Sequence, residues 1–83
     1  MTRLVAAIAL VRAAGLRQEA ENKIVTSLTF LDLWNIPAEY RGYAAVAVSK
    51  GLIQSGSFFR PQDPFSRGEL AHALVLIQNG IVD

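Results

Sequence analysis

The stretch from Gly51 to Leu76 reads GLIQSGSFFRPQDPFSRGELAHALVL, and it contains the end of one helix, a loop and the start of another. Ser66 and Glu69 have the spacing of a capping box, in which the Ser side chain and the Glu side chain each bind a free backbone N–H of the helix start. Arg67 does not suit this position, because a cation at the first helical residue opposes the helix dipole. The stretch therefore predicts a helix that begins after Ser66, with an Arg whose presence needs another explanation.

Helix start and stop signals along the whole chain predict three main helices. The first covers residues 2–14 between a Thr cap and Gly15, the second runs from about Pro37 to Ser49, and the third from Ser66 to about Gln78. Phe58, Phe59 and Phe65 are expected to pack the long loop before the third helix into the core. We therefore predict an all-α fold, a small three-helix bundle with a long ordered loop between helices 2 and 3.

Apolar spacing predicts which side of each helix faces the core. The first helix has only two charged residues, on opposite sides, so we expect it to be buried nearly all round. In the second helix, Arg41, Ala45 and Ser49 form a predicted outward stripe, and Tyr40 and Tyr43 face inward with hydrated hydroxyls. In the third helix, the predicted inward residues are Leu70, Ala73, Leu74 and Ile77.

The composition is that of one small domain with little charge. The chain has 83 residues, of which 52% are hydrophobic and 18% are charged, and its formal net charge is +1. A domain of this size buries only about 60 to 65% of its unfolded surface, so we expect some apolar side chains to face a partner. The weak charge does not favour nucleic acid or an acidic membrane as that partner. A helix-turn-helix is also disfavoured, because the last two helices are too far apart in sequence.

The residue inventory argues against an enzyme and against a metal site. The chain has no cysteine, and its one histidine, His72, has neither a nucleophile nor an orienting group expected beside it. We therefore expect no catalytic residue, no cofactor and no metal. No apolar run approaches the about 20 residues of a membrane span. Arg12 interrupts the apolar run near the N-terminus, so we do not expect a signal peptide.

The first and third predicted helices share a sequence pattern. With an offset of 64 residues, the alignment pairs Thr2 with Ser66, Arg3 with Arg67, Ala7 with Ala71, Leu10 with Leu74 and Val11 with Val75. An internal repeat of this kind indicates an array of similar units. We therefore divide the single domain 1–83 into the closing helix of a preceding repeat (1–16), a connector (17–29) and one complete repeat (30–80).

Several motifs of the complete repeat resemble the S-layer homology domain. They are an aromatic-Asp entry at Phe30 and Asp32, a helix end SKGLI at 49–53, an FRP loop at 59–61 and a helix start SRGELA at 66–71. The segment IPAEYRGY at 36–43 also looks like the version of this domain that is appended to some secreted subtilisin-like proteases. Gly68 stands where the family has Ala, and the loop between 51 and 59 is slightly shorter than the family form.

The resemblance implies a non-catalytic module that anchors proteins to the outside of a bacterial cell by binding a cell-wall polymer, either a secondary cell-wall polysaccharide or a peptidoglycan-linked glycan. In the family, the Arg of the helix-start motif binds an acidic sugar; that residue is Arg67 here, and Arg3 is its repeat mate. Ser66 and the free N–H groups beside it would complete a carboxylate site. Trp34 is a candidate sugar platform. The alternative function is oligomerisation, or docking in a larger secreted protein, without carbohydrate binding.

Each of these candidates also has a structural interpretation. Arg67 and Arg3 can pair with a carboxylate such as Asp32 or Asp63, or stack on Trp34 or a Phe ring. Trp34 beside a helix entry is more often a core residue than a sugar platform. Among partners we expect a homo-oligomer, a dimer or larger, because an incomplete array exposes faces that another copy can cover.

Overall fold

The computed structural model describes residues 1–22 and 30–80, and this part of the chain is all-α, as predicted. Its α-helices are α1 (Arg3–Ala13), α2 (Arg17–Asn22), α3 (Arg41–Ser49) and α4 (Arg67–Gln78). The short 3₁₀ helices Leu33–Asn35 and Ala38–Tyr40 precede α3. The predicted main helices correspond to α1, α3 and α4, and an ordered loop joins α3 to α4. In the described ranges no helix is long and apolar enough to cross a membrane.

The helix boundaries follow the capping signals of the sequence. The Thr2 hydroxyl accepts a hydrogen bond from the Val5 N–H at the start of α1. At the start of α4, both hydrogen bonds of the predicted capping box between Ser66 and Glu69 are present. Gly15 and Gly51 follow α1 and α3 with φ of 76°, a left-handed conformation that glycine adopts without a Cβ clash.

The second main helix begins later than predicted. Pro37 is extended, with φ of −52° and ψ of 139°, and a 3₁₀ turn follows it, so α3 begins at Arg41. The predicted outward stripe is also wrong at Ala45, which is buried. The reason is the position of α3 between neighbours: both α1 and α2 pack on it.

The core is built from α1, α3 and the loop residues around them. The largest fully buried side chains are Tyr43, Phe59, Ile36, Ile53, Val11 and Val46. Phe59 and Phe65 are buried as predicted, but Phe58 is 49% exposed. Of the neighbouring rings of Phe58 and Phe59, only that of Phe59 packs in the core, where its centroid lies 5.3 Å from that of Phe30.

The faces of α1 and α4 differ from the predicted ones. On α1, Val5 is 51% exposed, so this helix is not buried all round. Along α4, Ala73 is the buried residue, Leu70 and Ile77 are partly buried, and Leu74 is 43% exposed instead of facing inward. Among the described residues, α4 packs along α1, whereas its Leu74 and Val75 side chains are exposed.

The first part of the predicted connector forms α2, while residues 23–29 lie outside the described ranges. The Tyr43 hydroxyl donates a hydrogen bond of 2.7 Å to the Glu21 carboxylate, and Arg17 Nε donates another of 2.9 Å. Both hydrogen bonds lower the pKa of Glu21, and the one from Arg17 has the larger effect. The Arg12 guanidinium lies over the Tyr43 ring, 5.5 Å from its centroid. This cluster joins α1, α2 and α3.

Candidate ligand-binding groove

The N-terminus of the chain pairs with the segment that leads into α4. Thr2 and Pro64 form an isolated antiparallel bridge. The Arg3 N–H donates to the Asp63 carbonyl at 2.8 Å, and the Phe65 N–H donates to the Met1 carbonyl at 2.8 Å. The starts of α1 and α4, which the sequence pattern pairs, are therefore neighbours, and the 54–64 loop lies against the first turn of α1.

Arg3 holds this loop in place with its side chain. Its Nε donates to the Phe59 carbonyl at 2.8 Å and its Nη2 to the Gln54 carbonyl at 2.7 Å. The guanidinium lies 5.4 Å from the centroid of the Phe59 ring, and Nη1 is 3.7 Å from Glu69 Oε2. The side chain is only 12% exposed. Stacking on a Phe ring was one of its predicted structural roles; the carboxylate partner is Glu69, not the predicted Asp32 or Asp63.

Asp32, which precedes the 3₁₀ helix Leu33–Asn35, binds the backbone of the same loop. Its two carboxylate oxygens accept hydrogen bonds of 2.8 Å each from the backbone N–H groups of Phe59 and Arg60. Arg60 has φ of 60°, a conformation that costs a residue with a Cβ about 1 kcal/mol or more. The predicted role of Asp32 as the partner of an Arg side chain is therefore wrong, because its carboxylate binds backbone N–H groups.

These contacts leave an open groove of about 390 Å³ between the loop and α1. It is lined by Arg3, Gln54, Ser55, Gly56, Ser57, Phe58, Arg60, Asp63 and Pro64. The Ser55 hydroxyl donates to the Phe58 carbonyl at 2.9 Å, which keeps the loop closed on itself. The groove thus combines guanidinium groups, hydroxyl groups and an exposed aromatic ring on a braced backbone.

Arg60 and Phe58 are the groove residues that sequence analysis missed as ligand candidates. The Arg60 side chain is largely exposed and forms a loose ion pair of 3.8 Å with Asp63. The sequence contains no local signal for either residue, because Asp32, which binds the backbone N–H groups of Phe59 and Arg60, lies almost thirty residues away.

Arg67 and Ser66 have different surroundings from Arg3. The Arg67 side chain is exposed, makes no hydrogen bond or ion pair within the described ranges and does not line the groove. The Ser66 hydroxyl is engaged, since it accepts from the Glu69 N–H at 3.1 Å as the helix cap. Arg3 and Arg67 are paired by the 64-residue offset of the sequence, but among the described residues Arg3 has side-chain partners and Arg67 has none.

Trp34 is 74% exposed, so its interpretation as a core residue is wrong. Arg41 explains its position: the guanidinium lies 4.9 Å from the indole centroid, and its Nε donates to the carbonyls of Leu33 and Ile36. Arg41 thus holds the turn that carries Trp34. It lies over the indole ring, most of which remains exposed. Trp34 does not line the groove.

A smaller cavity of about 230 Å³ shares Gln54 with the groove and reaches the first turns of α4, where Glu69 and His72 line it. Within residues 1–22 and 30–80, no cluster of three or more His, Cys, Asp or Glu side chains could hold a metal ion.

The chain was compared with known proteins at three levels. No protein-family model, no curated protein and no solved structure matches it.

Proposed function

We propose that this chain is a non-catalytic anchoring module on the outside of a bacterial cell, and that its groove binds a cell-wall polymer, a secondary cell-wall polysaccharide or a peptidoglycan-linked glycan. The motifs that resemble the S-layer homology domain suggest the polymer. The groove is the feature of the structure that supports a binding function.

The observation that carries the proposal is the set of groups that meet in the groove. Arg60 offers a largely exposed guanidinium, the group best suited to bind a carboxylate or phosphate in two-point fashion. The half-exposed Phe58 ring gives an apolar surface for a sugar ring, and Ser57 adds a polar lining. Asp63 is the single carboxylate of the lining, and no nucleophile with a base stands beside it, which supports binding over catalysis.

Arg3 supports the groove in a different way. Because its donors already bind two loop carbonyls, it positions the loop that carries Phe58 and Arg60. Arg67 remains a second candidate for the same polymer, since its guanidinium has no partner in the described ranges. The proposal thus includes one contact in the groove and one at the start of α4.

The test is cosedimentation of the full chain with purified cell-wall sacculi, before and after the secondary polymer is stripped. The wild-type chain should pellet with intact sacculi and stay in solution with stripped ones. Arg60→Gln and Phe58→Ala should remove most of the binding. The matched control is Arg17→Gln, because Arg17 is also largely exposed and forms a similar surface ion pair, outside the groove.

The variants also distinguish the two contacts. Loss of binding in Arg67→Ala with normal binding in Arg60→Gln would assign the binding site to the start of α4 and not to the groove. Wild-type chain that does not pellet, or that pellets equally with stripped sacculi, would rule out the polymer as ligand.

The second candidate function is association with protein, as an oligomerisation or docking module of a larger secreted protein. The observation that favours it is the exposure of Leu74 and Val75 on α4. Their repeat mates on α1, Leu10 and Val11, are buried in the core. An apolar helix face of this kind is typical of a surface that a protein partner covers.

A further inference from the structure

One row of exposed side chains on α4 lies beside the exposed Val75, and we call this row the outer stripe. Its members are spaced four, three and four residues apart, so they lie along a single line on the helix. All four are exposed: Arg67, Ala71, Leu74 and Gln78. The side chains that pack against the core, Leu70, Ala73 and Ile77, border this row along one edge. The outer stripe itself is open to a partner.

We propose that this partner is a second copy of the chain, docked with its α4 antiparallel to the first. A two-fold axis that passes between His72 and Ala73 sets each Ala71 opposite Leu74 of the other copy. It also sets each Arg67 opposite Gln78 of the other copy. The small residue of one stripe then receives the large residue of the other, as close helix packing requires.

The charges of α4 favour the same arrangement. Arg67 at the N-terminus opposes the helix dipole, and the last turn of α4 has no basic residue to complement the negative end of that dipole. In the antiparallel pair, each Arg67 lies beside the C-terminal carbonyls of the other α4, where a cation is favourable. A second copy thus gives Arg67 a favourable position and supplies a cation at the end of α4. A partner of arbitrary sequence would not do both with one contact.

The size of the stripe predicts a weak dimer. A helix of 12 residues is about 18 Å long, so one helix pair buries far less than the about 1,600 Å² of a standard interface. We expect dissociation in the micromolar to millimolar range. This inference rests on the second candidate function; it shares Arg67 with the polymer proposal, but it does not involve the groove, and its test contains no cell-wall material.

Sedimentation equilibrium of the full chain, without any cell-wall material, tests the dimer. The average mass should rise with concentration from 9.0 kDa toward twice that value. Leu74→Glu should weaken association by about tenfold or more, because it places two carboxylates in the centre of the interface. Val5→Glu is the matched control, an exposed apolar residue of α1, and it should associate like wild type. Circular dichroism verifies that both variants remain folded.

A charge exchange tests the antiparallel register. Gln78→Arg should weaken association, because it places a second cation opposite Arg67 of the other copy. Adding Arg67→Glu to that variant should restore it, since the pair becomes oppositely charged. A wild-type chain that stays at 9.0 kDa at millimolar concentration would overturn the dimer. Equal loss in Val5→Glu and Leu74→Glu, or no rescue by the charge exchange, would overturn this interface.

Discussion

Asp32 is the residue whose replacement should affect the groove most. Its carboxylate accepts two hydrogen bonds of 2.8 Å from the backbone N–H groups of Phe59 and Arg60. Hydrogen bonds to a charged acceptor contribute about 1.5 to 3 kcal/mol each, and a buried N–H left without a partner costs about 1 to 3 kcal/mol. The Arg60 N–H is exposed and can bind water instead, whereas Phe59 is fully buried. We therefore expect Asp32→Ala to lower the free energy of unfolding by about 2 to 4 kcal/mol.

The assay is urea unfolding at neutral pH, followed by circular dichroism. Asp32→Asn retains one acceptor oxygen, so its loss should be about half as large, about 1 to 2 kcal/mol. The control is Asp63→Ala, which removes an exposed carboxylate from a 3.8 Å ion pair with Arg60 and should change stability by less than about 0.5 kcal/mol. Equal stability of Asp32→Ala and Asp63→Ala would refute the bracing role of Asp32.

Three further predictions concern other parts of the fold. Arg3→Lys should lower the free energy of unfolding by about 1 to 2 kcal/mol in the same urea assay, because an ammonium cannot donate in the planar two-carbonyl arrangement and stack on the ring beneath it. Gly68→Ala should raise the melting temperature and add about 0.5 to 1 kcal/mol to the free energy of unfolding, since an added Cβ would meet only the Ser66 hydroxyl at 3.9 Å. Gly51→Ala should lower the melting temperature, because φ at that position is 76°. The pKa of Glu21 is lowered below its ordinary value of 4.5, so its contribution to stability is complete above that value and is lost as the pH falls through the folded-state pKa. Glu21→Gln should therefore flatten the dependence of melting temperature on pH in the acidic range, and an unchanged slope would contradict the interaction.

The helix boundaries could be predicted because their causes are local in sequence. The capping box of Ser66 and Glu69 needs only residues three apart, and the structure contains both of its hydrogen bonds. The glycines that end α1 and α3 are equally local signals. The start of α3 was predicted wrongly, because Pro37 is extended and a 3₁₀ turn follows it, so the helix begins at Arg41 and not at Pro37.

Side-chain roles were less predictable because they depend on residues far apart in sequence. The partners of Arg3 are carbonyls more than fifty residues away, and Asp32 binds N–H groups almost thirty residues away. Trp34 shows the limit of hydrophobicity as a guide, since the turn closed by Arg41 holds it at the surface. Leu74 was predicted to face inward from the apolar spacing of its helix, but among the described elements α4 packs mainly on α1, whereas α1 also packs on α2 and α3.

The proposal that the groove binds a cell-wall polymer is tested most directly by NMR titration of the isotope-labelled chain with the purified, soluble polymer. The groove predicts saturable chemical-shift changes at the backbone amides of residues 54–60, with those of Ser57, Phe58 and Arg60 among the largest. Those changes should be absent in Arg60→Gln and present in Arg17→Gln. Shift changes confined to α4, or none that saturate at millimolar polymer, would contradict the assignment of the groove as the binding site.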